Sequence, residues 1–293
     1  MAHPPGGTRR ALLGFSGVDI TLIENRDGAF VRKQARHAGQ NERLRGQAAK
    51  LAWAHAAGIP CPAPRAEGLR DGLFWFDMDY VPGESLANGL VSGRAIDWPE
   101  VAALIGAMLD RFRTDATGTI DPAGFPRKLD DIVRRCAGRG AVRAMLDRVE
   151  RAAAVLARGD WSGLPQGPAH GDLTLENMLL RPDGSVMFID FDVPAQESVA
   201  LDIGKLYQDL KGQWFLRHLA VRDPEGVDLL NARLNLVRAV GHFEHVLAGF
   251  FPGDAARLPA LAAFHLLRTL PYATDPAVGR YVLDRVDALV GAG

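Results

Sequence analysis

Residues 170–192 read HGDLTLENMLLRPDGSVMFIDFD, and the fold follows from how this stretch doubles back. It opens with His170-Gly171-Asp172, places Asn177 five residues after Asp172, and closes with Asp190-Phe191-Asp192. Between them, Met178-Leu179-Leu180 and Val186-Met187-Phe188-Ile189 are two apolar runs. Pro182-Asp183-Gly184 joins them as a turn, because Pro presets φ and Gly tolerates positive φ. A hairpin returns Asp190 to the side of Asn177. The stretch thus supplies a carboxylate that can accept a hydroxyl proton, Asp172, and two oxygen donors, Asn177 and Asp190, that can hold magnesium on phosphates. Phosphoryl transfer needs this set. The bland alternative is that these residues only cap turns and end a strand.

The segment resembles the catalytic stretch of the aminoglycoside phosphotransferase and choline kinase family, which shares the protein-kinase fold. That family carries HGD-x-x-x-x-N where protein kinases carry HRD-x-x-x-x-N, and tolerates an acidic residue, here Asp192, at the Gly of DFG. The resemblance implies an α+β, bilobal, protein-kinase-like architecture. A small N-terminal lobe of β-sheet plus one helix would be followed by a larger helical lobe. It implies ATP and Mg²⁺ as cofactors, Asp172 as the catalytic residue, and Asn177 and Asp190 as metal ligands.

Composition agrees with a soluble globular chain. Of 293 residues, 47% are hydrophobic and 24% charged, and the formal net charge is −1, which favours neither nucleic acid nor an anionic membrane. Cys61 and Cys136 form no metal spacing and no disulfide framework, as expected of a reducing cytoplasm. No apolar run reaches bilayer-spanning length. Thr8-Arg9-Arg10-Ala11-Leu12-Leu13 imitates a twin-arginine export signal, but Gly14, Ser16, Gly17 and Asp19 interrupt the apolar segment it would need. The first ten residues are expected to be disordered, with the nucleotide lobe over 11–82 and the catalytic and substrate lobe over 83–293.

Along the chain, Ile20-Thr21-Leu22-Ile23 and Phe30-Val31-Arg32-Lys33 read as strands about the turn at 25–28. Ahead of them, Gly14-Phe15-Ser16-Gly17 sits where the family's first strands fold over the nucleotide phosphates, so Ser16 and Gly17 are nucleotide-contact candidates; an ordinary hairpin explains them nearly as well. Lys33 falls where the family's phosphate-contacting lysine lies. Arg32, its neighbour, faces the other way and is expected at the surface. The segment from Asn41 to Ala57 has helical periodicity, with Leu44, Ala48, Leu51, Ala52 and His55 as the buried stripe. Protein kinases place there a Glu that pairs with the strand lysine; here Gln47 borders the stripe and is either the partner of Lys33 or a helix-surface residue. A linker at 58–64 leads to the apolar strand 73–81, whose end, Asp79-Tyr80-Val81, matches the family's adenine-binding hinge.

Beyond Pro82-Gly83 the spacing predicts helices over Val101–Phe112, Val142–Leu156, Ala200–Leu210, Asp228–Phe250 and Pro259–Leu270. Asp202 either anchors the catalytic loop from below or caps a helix. His170 is expected to brace that loop.

The activity these residues imply is transfer of the ATP γ-phosphoryl group to a hydroxyl of a sugar, amino sugar or related metabolite. The acceptor is thus a small molecule, with no nucleic acid or membrane as partner. A nucleotide-binding scaffold without turnover is the alternative, supported by Gln47. A protein kinase is disfavoured because there is no room for a long activation loop between Asp190 and the helix at Ala200. From residue 200 onward, ten acidic residues face ten basic ones, a balance that shifts the acceptor from polycationic aminoglycosides toward neutral or anionic compounds. No aromatic cage for choline or ethanolamine is evident. Lys205, Lys211, Arg268 and Tyr272 are acceptor candidates, with Asp192 either at a second ion or solvated; surface lysines and a helix-ending Arg268 are the alternative.

Overall fold

The computed structural model describes residues 8–12, 17–26, 28–250 and 257–291. The chain divides into two compact units, one formed by residues up to Glu84 with 177–194, the other by 85–176 with the remainder.

The first unit is built on an antiparallel sheet of strands β1 (Thr8–Ala11), β2 (Asp19–Asn25), β3 (Gly28–Gln34), β4 (Pro64–Arg70) and β5 (Leu73–Asp79), in the order β1-β2-β3-β5-β4. For Thr8 to Arg10, strand β1 corrects the expectation of disorder: Thr8 to Ala11 pair with Glu24 to Thr21. Strand β4 starts at the last residue of the linker expected over 58–64 and lies in a stretch the sequence left unassigned; its sequence, PRAEGLR, is charged and mostly exposed, as suits a sheet edge. It turns into β5 through Asp71-Gly72, both with positive φ (53° and 77°), the conformation a tight two-residue hairpin requires.

The middle of β3 overturns a second expectation. Arg32 is buried, not on the surface. It stands directly opposite Asp77 on β5 and makes a bidentate pair with it, Nε to Oδ1 at 2.7 Å and Nη2 to Oδ2 at 2.8 Å. Its guanidinium also lies 4.0 Å from the Trp75 ring centroid. Alternation sends Lys33 to the opposite face, as the sequence implied. Period-2 reasoning could separate the two residues but not say that both faces are covered.

Helix α1 (Asn41–Ala56) packs on this sheet and is pinned to it by Asn41. The Asn41 Oδ1 accepts the Phe74 N–H (2.9 Å), and its Nδ2 donates to the Gly72 carbonyl (2.8 Å). The buried stripe is Leu44, Gln47, Ala48, Lys50, Leu51 and Ala54, whereas Ala52 and His55 are exposed. A 3.6-residue period carries the stripe to Ala54 and leaves His55 turned outward.

The hairpin strands β6 (Met178–Leu180) and β7 (Val186–Phe188) pair in the expected register, Leu180 with Val186 and Met178 with Phe188. In the turn the Asp183 carboxylate accepts from the Ser185 N–H (3.0 Å) and hydroxyl (2.6 Å), and Gly184 takes φ +88°. The sequence boundary at 82/83 assigned this hairpin to the helical part. Residues 177–194 instead belong to the first unit, and the Phe188 N–H donates to the Pro60 carbonyl at 2.8 Å.

The second unit is helical: α2 (Leu86–Ser92), α3 (Trp98–Thr114), α4 (Gly124–Ala137), α5 (Leu146–Ala157), α6 (Val199–Leu210), α7 (Val227–Ala248), α8 (Arg257–Leu267) and α9 (Pro276–Val290). The helix expected over Val142–Leu156 is interrupted: a turn at Gly140–Arg143 ends before α5, with Met145 at φ −116°. Local chemistry sets several starts. Asp97 caps α3, Ser198 caps α6, and Asp275 caps α9 ahead of Pro276. Helices α4, α5, α8 and α9 share one core, in which the Phe125 ring stacks on Trp161 (4.1 Å) and tilts against Phe264 (4.9 Å). Among the described residues no helix is long and apolar enough to cross a membrane. Both cysteines are buried, and burial pushes each thiol up to about 11.

Candidate active site

In the first unit the hairpin sets Asn177 against Asp190. The Ile189 N–H donates to the Asn177 carbonyl (2.9 Å), so the residue before Asp190 is tied to Asn177 itself. Asp190 takes φ +61°, a left-handed conformation that costs a non-glycine residue energy. Its Oδ1 forms an ion pair with the Lys33 ammonium, which is almost wholly buried. An amide oxygen and a carboxylate are hard donors of the kind magnesium takes, and two such ligands suit an ion that completes its shell with water and phosphate.

Gln47 is not the partner of Lys33. Its Nε2 donates to Asp192 Oδ1 (2.9 Å), beside Arg43, whose Nε and Nη2 reach Oδ1 and Oδ2 at 2.9 Å each. Lys50 donates to the Asp192 carbonyl at 2.5 Å. Gly46 permits this approach, since a Cβ there would come within 3.0 Å of Val193 Cγ2. Burial raises the Asp192 carboxyl, but the Arg43 and Gln47 hydrogen bonds outweigh it and leave the group below its ordinary value. Asp192 therefore fastens the hairpin to α1 and is not the merely solvated acid that one of its readings expected.

The remaining nucleotide candidates fall in two places. Gly17 has φ +75° and its carbonyl accepts from Gln40 Nε2 (3.1 Å), while Ser16 lies outside the described residues. At the end of β5, the Asp79 N–H donates to the Ala63 carbonyl (2.9 Å) and the Tyr80 N–H to the Ala29 carbonyl (3.4 Å). The Asp79 carboxylate pairs with Arg65 at 2.5 Å. Two N–H groups of Asp79-Tyr80-Val81 are thus engaged within the sheet.

In the second unit, Asp172 sits on a loop held from beneath. Asp202, on α6, accepts the backbone N–H of His170 and, at 2.8 Å, that of Gly171. This resolves the two readings of Asp202: Ser198 caps α6, and Asp202 anchors the loop. Gly171 takes φ +91°, and the wholly buried His170 ring accepts the Asp172 N–H at Nδ1 (3.3 Å), the bracing expected of it. Lys205, one turn after Asp202, places Nζ 2.7 Å from Asp172 Oδ1.

Two groups escaped the sequence reading. Asp209 is fully buried, and its Oδ2 accepts the Leu175 N–H at 2.7 Å. Burial and the neighbouring Glu176 charge push its carboxyl up to about 8, against the Leu175 hydrogen bond and the Lys205 and Arg217 charges. The signal was present: Asp209 follows Asp202 by seven residues, two helical turns, and so shares its buried face. Arg43 is the second, and no local pattern distinguishes it from Arg45 one position past Leu44.

The acceptor candidates separate. Lys211 pairs with Glu244 at 2.5 Å. The Arg268 Nη1 lies 3.1 Å from His265 Nδ1, and Tyr272, 65% exposed, has the Arg135 guanidinium 4.6 Å from its ring centroid.

The phosphotransferase enzyme family model, APH, matches residues 13–231. An aminoglycoside 3'-phosphotransferase of Streptomyces fradiae is 30% identical over 158 residues, which are 47% of this chain and 53% of that protein, so the chain spans about half the length of this relative. Among solved structures, an aminoglycoside-3'-phosphotransferase of type VIII superposes with a TM-score of 0.60 at 18% identity, covering 92% of this chain and 94% of that one. A choline kinase of Streptococcus pneumoniae does so with a TM-score of 0.57 at 12% identity, covering 98% and 94%. At such identities the likeness is one of fold, and it is the protein-kinase-like α+β fold. With the family model matching well over half its length, the chain belongs to the phosphotransferase enzyme family.

Proposed function

We propose that the protein transfers the γ-phosphoryl group of ATP to a hydroxyl of a small molecule, a sugar, amino sugar or related metabolite. The observation that carries this reading is the loop at Asp172, whose backbone Asp202 grips at two consecutive N–H groups and whose carboxylate Lys205 holds. A carboxylate fixed in this way can orient the acceptor hydroxyl and take its proton as the oxygen bonds to phosphorus and the bond to the departing ADP breaks. Asn177 and Asp190 would hold magnesium, and Lys33 would position the nucleotide phosphates. When bound, the metal neutralises charge on the phosphates. The family match supports phosphoryl transfer as the class of reaction, and the relatives named above act on aminoglycosides or choline by their descriptions.

The test is ATP consumption by the purified chain across sugars, amino sugars, amino alcohols and aminoglycosides, with the product confirmed by mass. A phosphorylated hydroxyl product, lost in Asp172→Asn, is expected. Binding of ATP without turnover on any acceptor class would favour the scaffold alternative.

A further inference from the structure

A strip of cations runs through the second unit from Asp172. Lys205 on α6 begins it, 2.7 Å from the Asp172 carboxylate. Next to it, Gly204 lets α6 and α8 meet closely, since a Cβ there would lie 3.0 Å from the His265 ring. His265 is 2% exposed and its Nδ1 faces the Arg268 guanidinium at 3.1 Å. A guanidinium only donates, so Nδ1 must accept and the ring is neutral. Burial and the Arg268 and Lys205 charges all hold the imidazole well below its ordinary value, which agrees. His265 is therefore a buried acceptor that aims Arg268.

The strip continues at Tyr272, four residues after Arg268. The Arg135 guanidinium, on α4, lies 4.6 Å from its ring centroid, and Arg135 first, then Lys128 and Arg268, hold the hydroxyl below its ordinary value against burial. Of the two acids on α4, Asp130 and Asp131, the second is already shared among Lys128 (3.1 Å), Arg134 (2.8 Å) and Arg135 (3.9 Å). Asp209, the other acid beside Lys205, is pushed up to about 8 and so is largely uncharged near neutrality.

We infer that Arg268 and Arg135, around Tyr272, form an anion site continuous with Lys205 and Asp172, and that the phosphate acceptor is a hydroxyl compound bearing a carboxylate or phosphate. Two guanidiniums flanking a phenol suit such a group, which accepts paired N–H donors from each. The same cations repel an amino group, so the site discriminates against polycationic aminoglycosides and quaternary amines. The assignment of Asp172 as the reacting end rests on the phosphotransfer reading; the anion site itself does not.

The experiment uses the full chain with inorganic phosphate, glucose 6-phosphate, glucuronate, glucose and glucosamine as probes. Binding is followed by calorimetry without nucleotide, and transfer by ATP consumption with magnesium. The anionic probes should bind more tightly than glucose, and glucosamine more weakly. Arg268→Gln and Arg135→Gln should each cut the anionic-to-neutral affinity ratio by at least about tenfold, the loss of a charge-assisted pair. Arg268→Lys should restore part of it. An unchanged ratio in both variants, no binding of any anionic probe, or a wild-type preference for glucosamine would each overturn the inference. Anion binding that the variants abolish, with no transfer to any probe, would support the anion site while counting against phosphotransfer.

Discussion

Lys33 and Asp190, 157 positions apart in the chain, form an ion pair within the first unit, and the lysine of this pair is buried. The helix that in protein kinases supplies an acid to this lysine supplies none here. Its Gln47 and Arg43 hold Asp192 instead. The acid of the proposed metal site thus also pairs with the lysine proposed to position the nucleotide phosphates, and bound nucleotide would have to divide them.

Metal dependence follows. ATP binding should require Mg²⁺ or Mn²⁺, and Asp190→Ala should weaken it only when the metal is present. Calorimetric titrations with and without chelator check this. Equal affinities in all four combinations of protein and metal would take Asp190 out of the site.

Arg32 and Asp77 should be the costliest ion pair to break in the sheet. Both are buried and joined by two hydrogen bonds. Arg32→Ala leaves the Asp77 charge uncompensated inside the protein and should destabilise it by about 3–5 kcal/mol. Denaturant unfolding measures this; a loss below about 1 kcal/mol would place the pair among ordinary surface contacts.

What the sequence made legible was whatever is written locally. Pro182-Asp183-Gly184 between two apolar runs announced the hairpin, and the offset from Asp172 to Asn177 is what motivates the proposed site. Partners contributed from distant segments were not legible. Arg32 looked like a surface residue because Asp77 lies 45 positions away, and Asp192 looked solvated because Arg43 is 149 away. Asp209 lay between these cases: its helical phase relative to Asp202 pointed inward, but its target, the Leu175 N–H, belongs to the loop that follows Asp172. Even the boundary between the units eluded composition, because the hairpin's attachment to Pro60 leaves no trace in the residues that make it.

Asp209 makes stability depend on pH in an unusual direction. Its carboxyl is raised in the folded protein to about 8, above the roughly 3.9 of an unfolded Asp, so between these values the folded state holds a proton the unfolded state has released. Stability from this group is fully present below about pH 4 and lost as pH rises toward 8, at up to about 1.4 kcal/mol per pH unit. Asp209→Asn should therefore flatten the pH dependence of unfolding over that range relative to wild type. Asp192 acts with the opposite sign: its depressed carboxyl stabilises above the unfolded value and is lost as pH falls through the folded one. Parallel curves for wild type and Asp209→Asn would show that Asp209 is ionised in the folded protein.

The account stands or falls on Asp172. With an acceptor identified, steady-state turnover and ATP affinity of Asp172→Asn are compared with wild type under saturating magnesium. The substitution keeps the shape of the side chain and removes the proton-accepting charge. We expect kcat to fall by about a hundredfold or more, with ATP affinity and melting temperature close to wild type. Turnover within a few-fold of wild type would contradict the assignment of the loop as the catalytic centre.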